Sequence, residues 1–203
     1  FRAWFYFEIA RYWGGMPYVD RVLDPTESLI TEEFNRLNFK ETALKMAADF
    51  RAAADLLPVH WDVSAPGQRT LNHNRDRINK FHALGYLGKA YLYAASPMPN
   101  EEATGSDAFD PALAKQAADA FGELLALRDQ TSRYSLMPWS NWTENFVMFN
   151  NLRPGGTECI MMPIIYDRGR VRWSSLGGTV PSSFQLNSGS SADVPTHNYI
   201  KNY

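Results

Sequence analysis

Prolines and glycine pairs cut this chain into helical stretches, and that punctuation constrains the fold more than any other feature. Apolar residues recur at helical spacing, and each run stops at a breaker: Gly14-Gly15-Met16-Pro17, Pro58, and Pro97. Residues 1–13 read as a helix with aromatics on nearly every face, and therefore as a buried one, with Trp4 and Trp13 in the core. A second helix is expected over about 35–57, where Phe39, Ala43, Met46, Ala47, Phe50 and Leu57 share a stripe. A third runs over about 77–95. A fourth begins at Pro111, a favourable first helical position behind the capping residue Asp110, and extends to about Leu127. The intervening stretches 18–33, 59–76 and 97–110 read as loops, with Trp61 in the second packing as a cap on the second helix.

From Arg133 the texture changes. Trp139 and Trp142 stand in a polar stretch, and a short helix is expected over 141–150. Arg153-Pro154-Gly155-Gly156 is a turn, and Glu158 to Ile165 reads as a short extended segment. A long Ser/Gly-rich loop occupies 167–193, and loops of that length in a compact domain usually serve function or are disordered. Two regions are expected: a helical scaffold over 1–132, and an irregular, loop-rich ligand-side region of the same domain over 133–203. The chain starts and stops inside helix-like runs, so it reads as an internal piece of a longer protein.

Composition narrows the classes. Six Trp, ten Tyr and twelve Phe among 203 residues exceed what a core of this size uses, if some of them lie in loops. The net charge of −2 gives no bulk attraction to nucleic acid or to an anionic membrane. Cys159 is the sole cysteine, which excludes an internal disulfide and a multi-cysteine metal site. The four histidines, His60, His73, His82 and His197, have no zinc-helix spacing, and no nucleophile elbow or phosphate loop is present. The expectation is a non-catalytic protein that needs no cofactor and no metal.

One internal pattern stands out. Leu84-x2-Leu87-Gly88-x2-Tyr91 matches the first half of the tetratricopeptide motif, and Ala117-x3-Phe121 matches the second. Gly88 is then the point where the partner helix approaches. The separation of Gly88 and Ala117 is 29 positions against about 12 in the consensus, so the connection carries about 17 extra residues. A weaker second half lies at Met46, Phe50, Ala53 and Pro58. The fold class expected is mainly α: tetratricopeptide-like helical hairpins with long excursions and a short irregular segment containing β structure.

Five blocks in order resemble the SusD/RagB family of nutrient-binding outer-membrane lipoproteins. They are Arg2-Ala3-x-Phe5-Tyr6-Phe7 with Arg11-Tyr12-Trp13-Gly14-Gly15-Met16-Pro17; Asp55-Leu56-Leu57-Pro58; Asn79-Lys80 through Ala90-Tyr91-Leu92-Tyr93-Ala94-Ala95-Ser96-Pro97; Glu158-Cys159-Ile160-Met161; and Pro195-Thr196. Together they span almost the whole chain. Phe81, His82 and Gly88-Lys89 depart from the family's usual small residues and Ala-Arg. The resemblance implies a lipid-anchored protein on the outer face of a Gram-negative outer membrane, its anchor outside this sequence. It implies a glycan ligand, in some members a peptide, delivered to a TonB-dependent SusC-like transporter. The competing expectation is a tetratricopeptide-like module gripping a peptide or protein; its groove would be polar and open, whereas the inner helices here are crowded with Phe, Tyr and Leu.

Sugar binding needs flat apolar faces and planar hydrogen-bonding groups. Trp173 is the leading candidate, flanked by Arg170 and Arg172 with Tyr166 and Asp167 nearby; the alternative is that it anchors its loop. Trp139 and Trp142 are secondary candidates that core or loop packing would also explain. The arginines would equally suit a phosphate, a uronic acid or a charged strand face.

Overall fold

The computed structural model describes residues 1–28, 30–70, 74, 77–134 and 138–141. The protein is mainly helical. Six α-helices are described: α1 Arg2–Trp13, α2 Phe39–Leu56, α3 Ala65–Gln68, α4 Lys80–Ala95, α5 Pro97–Thr104 and α6 Pro111–Thr131, with no strand among the described residues. The chain divides into two compact units, with described residues 1–134 in the first and 138–141 in the second. The expected helix at 141–150 and the extended segment at 158–165 lie outside the described residues.

α4 is the centre of the first unit, lying against both α2 and α6. Its sequence explains why. Phe81, Leu84 and Leu87 supply apolar bulk, and Ala83, Gly85, Gly88, Ala90 and Ala94 are small residues between them; all are buried. Small residues let two neighbouring helices approach one axis from opposite sides. Full burial of a ring such as Phe81 contributes about 1.5–3 kcal/mol.

Capping sets the helix starts. Asn38 accepts from the Glu41 N–H while Glu41 accepts from the Asn38 N–H, a reciprocal capping box that starts α2 at Phe39 rather than near residue 35. Asn79 and His82 form the equivalent box at α4, which therefore starts at Lys80. Asp110 caps α6 as expected, accepting from the N–H groups of Ala112 and Leu113, and that helix runs one turn beyond Leu127.

Two expectations are corrected. α1 is not buried all round: Ala3, Phe7 and Ala10 are buried, whereas Phe1, Phe5, Ile9, Tyr12 and Trp13 are exposed. Trp13 is 76% exposed, outside the core assigned to it. Trp4 is half-buried, and its indole N–H donates to the Tyr86 hydroxyl at 2.9 Å. The Tyr86 ring meets Phe7 edge-on at 5.5 Å and stacks on Phe50 at 5.5 Å, so one aromatic cluster joins α1, α2 and α4.

The second correction is at 97–110, where the loop contains α5. Pro97 and Pro99 read as breakers, but they occupy the first turn, where the backbone N–H groups have no helical partner to lose. The excursion between α4 and α6 is thus an ordered helix packed on α2 and α4. Lys40 holds it. Its ammonium donates to Asn100 Oδ1 and to Asp110 Oδ2, both at 2.8 Å, joining α2 to α5 and to the cap of α6. Asn100 in turn donates to the Ala108 carbonyl at 2.9 Å, and the Phe39 N–H donates to Glu102 at 3.0 Å.

Candidate functional site

Of the seven residues put forward as ligand contacts, Tyr166, Asp167, Arg170, Arg172, Trp173 and Trp142 lie outside the described residues. Trp139 opens the 3₁₀ turn Trp139–Asn141 in the second unit and is 81% exposed. Its ring therefore has the solvent access that a sugar platform requires.

Trp61, the loop tryptophan of the first unit, is committed elsewhere. Its indole N–H donates to the Ile78 carbonyl at 2.7 Å, and the Arg77 guanidinium lies 4.2 Å from its ring centroid. These partners belong to the segment leading into α4, so the Trp61 ring anchors the start of that helix. Asn74 completes the anchor from a buried position: its amide donates to Asp62 at 2.9 Å and to the Gly67 carbonyl at 2.8 Å, and its carbonyl accepts from Arg77 at 3.0 Å.

The first unit instead exposes aromatic surface at the end of α1, at residues that the sequence pattern places in the core. Tyr12 and Trp13 adjoin Arg11, whose guanidinium lies 5.3 Å from the Tyr12 ring centroid and pairs with Glu8 at 2.5 Å. The signal that finds Tyr12 is angular. At 100° per residue, Tyr12 falls with Phe1, Phe5 and Ile9 on the side opposite Ala3, Phe7 and Ala10.

The segment Gly14-Gly15-Met16, just past Trp13, is held closely. Gly14 has φ 77°, a left-handed conformation that ends α1 and favours glycine, with its N–H on the Ala10 carbonyl. A Cβ on Gly15 would fall 2.1 Å from the Leu37 carbonyl oxygen. Arg36 donates from Nε to the Gly15 carbonyl at 2.8 Å and from its terminal nitrogen to the Trp13 carbonyl at 3.1 Å. The Met16 N–H donates to the buried Thr42 hydroxyl at 3.2 Å. The exit from α1 is therefore fastened to the start of α2.

A charged network fixes the other end of α1. Arg2 spans Asp49 with two bonds of 2.5 and 2.6 Å, and the Tyr18 hydroxyl donates to the same carboxylate at 2.8 Å. The Arg2 guanidinium, and then the Tyr18 hydroxyl, hold the Asp49 carboxyl below its ordinary range against a burial cost. Burial, and then its bond to anionic Asp49, push the Tyr18 phenol up.

Among the described residues, no group of three or more His, Cys, Asp or Glu is placed to hold a metal ion. Among the same residues, no helix is long and apolar enough to cross a membrane. In comparisons with known proteins, no family model, no curated protein and no solved structure matches the chain.

Proposed function

We propose that this chain is part of a non-catalytic glycan-binding protein of the SusD/RagB kind, held at the outer face of an outer membrane by a lipid anchor. It would deliver oligosaccharide to a TonB-dependent SusC-like transporter. The observation that carries the reading is the order of the five residue blocks from Arg2 to Pro195-Thr196. In the same reading, α1 with α2 and α4 with α6 are two tetratricopeptide-like hairpins, the second interrupted by α5. The close approach of α4 and α6 at Gly88 and Phe121 supports that pairing, because those residues hold corresponding places in the two halves of the motif.

Glycan capture would fall to exposed rings with hydrogen-bonding neighbours. Trp173, Tyr166, Asp167, Arg170 and Arg172 supply that combination in one stretch of sequence, with Trp139 and Trp142 as further rings. Trp139 favours this use through its exposure. The peptide-gripping alternative draws less support, since α4, the central helix of the first unit, is largely buried. Isothermal titration of the chain with oligosaccharides released from a panel of polysaccharides tests the proposal. Saturable heat with one glycan class is expected; heat with peptides alone would replace the reading.

A further inference from the structure

The chain holds two Asp-Pro bonds, Asp24-Pro25 and Asp110-Pro111, and the fold treats them differently. A bond of this kind is unusually open to attack from its own side chain. The aspartate carboxylate reaches its own carbonyl carbon through a five-membered ring, and the proline nitrogen, part of a tertiary amide, leaves as a basic secondary amine.

Asp24, Pro25 and Thr26 are exposed, in a turn where the Glu27 N–H donates to the Asp24 carbonyl at 3.0 Å. That donor sits where negative charge gathers on the carbonyl oxygen during attack. The Asp24 side chain folds forward across the same bond. Its Oδ1 accepts from the Thr26 hydroxyl at 2.6 Å and from the Thr26 N–H at 2.8 Å, and its Oδ2 has no hydrogen bond among the described residues. The hydroxyl, and then the N–H, hold this carboxyl below its ordinary range, so the attacking group stays ionised in mild acid. Asp110 has the same proline after it but no such freedom. Its Oδ1 caps α6 through the N–H groups of Ala112 and Leu113, and Lys40 holds its Oδ2 at 2.8 Å. Attack there breaks the cap and the ion pair together.

We propose that Asp24-Pro25 is a self-cleavage site, and that the cut leaves the protein folded in two pieces. Asp24 Oδ2 bonds to the Asp24 carbonyl carbon, the carbon–nitrogen bond to Pro25 breaks, and the proline nitrogen takes a proton from solvent. Water then opens the cyclic anhydride, returning the side-chain carboxylate and leaving an α-carboxylate on Asp24. Contacts across the cut hold the pieces together. Arg21, before it, pairs with Glu27 and Glu33, after it, at 2.9 Å each. Arg2 still spans Asp49, Arg36 still holds the Gly15 and Trp13 carbonyls, and Phe7 stays in the core.

The test is incubation of the full chain with protease inhibitors at about pH 5, where paired carboxylates remain ionised. Mass spectrometry under denaturing conditions follows both bonds. Cutting at 24–25 is expected to be about tenfold faster than at 110–111 in the folded chain, with the two rates converging in urea. Asp24→Ala, a change at an exposed residue, is expected to abolish the first cut while far-ultraviolet circular dichroism is unchanged. A sizing column is expected to carry both pieces of the cut protein in one peak. Four results would overturn the proposal: no cut at 24–25, a rate ratio that urea leaves unchanged, a cut that persists in Asp24→Ala, or release of residues 1–24 from the cut protein.

Discussion

Gly88 of α4 and Phe121 of α6 occupy the same space but for one carbon: a Cβ on Gly88 would stand 2.5 Å from the Phe121 ring. The two helices pack through that contact, so the pair makes a double-mutant test with a change of sign. Gly88→Ala is expected to destabilise the first unit by about 1–2 kcal/mol, because the ring must leave its place. In a Phe121→Ala background the clash is gone and the helix propensity of alanine remains, so the same substitution is expected to stabilise by about 0.5–1 kcal/mol. Urea denaturation of the four proteins measures both signs; equal effects in the two backgrounds would show that the ring does not set the approach.

Glycines elsewhere in the helical unit should behave differently according to what faces them. A Cβ on Gly15 would meet the backbone of Leu37 and Asn38, which cannot rotate aside. Gly15→Ala is therefore expected to cost more than Gly88→Ala, about 2–4 kcal/mol, and to loosen the exit of α1. Gly122, inside α6, has nothing within 4 Å of the added carbon. Gly122→Ala is expected to stabilise by about 0.5–1 kcal/mol. Thermal melts of the two variants side by side check the order.

Much of this scaffold is legible in the sequence, for identifiable reasons. The stripe of α2 and the Asp110-Pro111 start of α6 are local signals, and local signals survive folding. Gly88 also declares its role, since a helical glycine within a repeat motif points to a close neighbour. The differences have physical causes too. Asn38 with Glu41 spells a capping box one turn after the expected start near residue 35, and the apolar stripe itself begins only at Phe39. Pro97 and Pro99 look like stops although both are tolerated in a first turn. Both faces of α1 are apolar in sequence; the helical period sorts the residues between them, and which face is buried depends on what packs there. Lys40 with Asn100 and Asp110, or Arg2 with Asp49, joins residues tens of positions apart, and no spacing rule anticipates such pairs. The candidate ligand contacts other than Trp139 fall outside the described residues, so the sequence remains the source for them.

The Lys40 junction gives a prediction about the α5 excursion. Lys40 and Asp110 are both largely shielded, with 15% and 22% of their side chains exposed. Asn100→Ala removes the amide that bridges Lys40 to the Ala108 carbonyl and leaves both partners wanting. A loss of about 1–2 kcal/mol is expected. The loss should be local, with hydrogen exchange quickening at residues 97–110 before α2 and α4 respond. Uniform quickening throughout the unit would contradict a local fastening role.

Acid should weaken the same unit. Asp49 is held down by Arg2 and then Tyr18, and Asp110 by Lys40 and then the N–H groups of Leu113 and Ala112. A carboxylate whose folded pKa lies below its unfolded value, about 3.9 for Asp, stabilises the fold above that value. The contribution drains away as pH falls from about 5 through the folded pKa. Denaturant midpoints are therefore expected to be level between pH 7 and 5 and to fall towards pH 3. Asp49→Asn should lower stability at pH 7 and flatten that acid slope; an unchanged slope would remove Asp49 from the account.

Native affinity electrophoresis against soluble polysaccharides, wild type beside Trp173→Ala, tests the central proposal most directly. Retardation of the wild type by one glycan class is expected, with the retardation lost in the variant while its helical circular dichroism is unchanged. Migration unaffected by every glycan would contradict the proposed function, and retardation that persists in Trp173→Ala would contradict the proposed site.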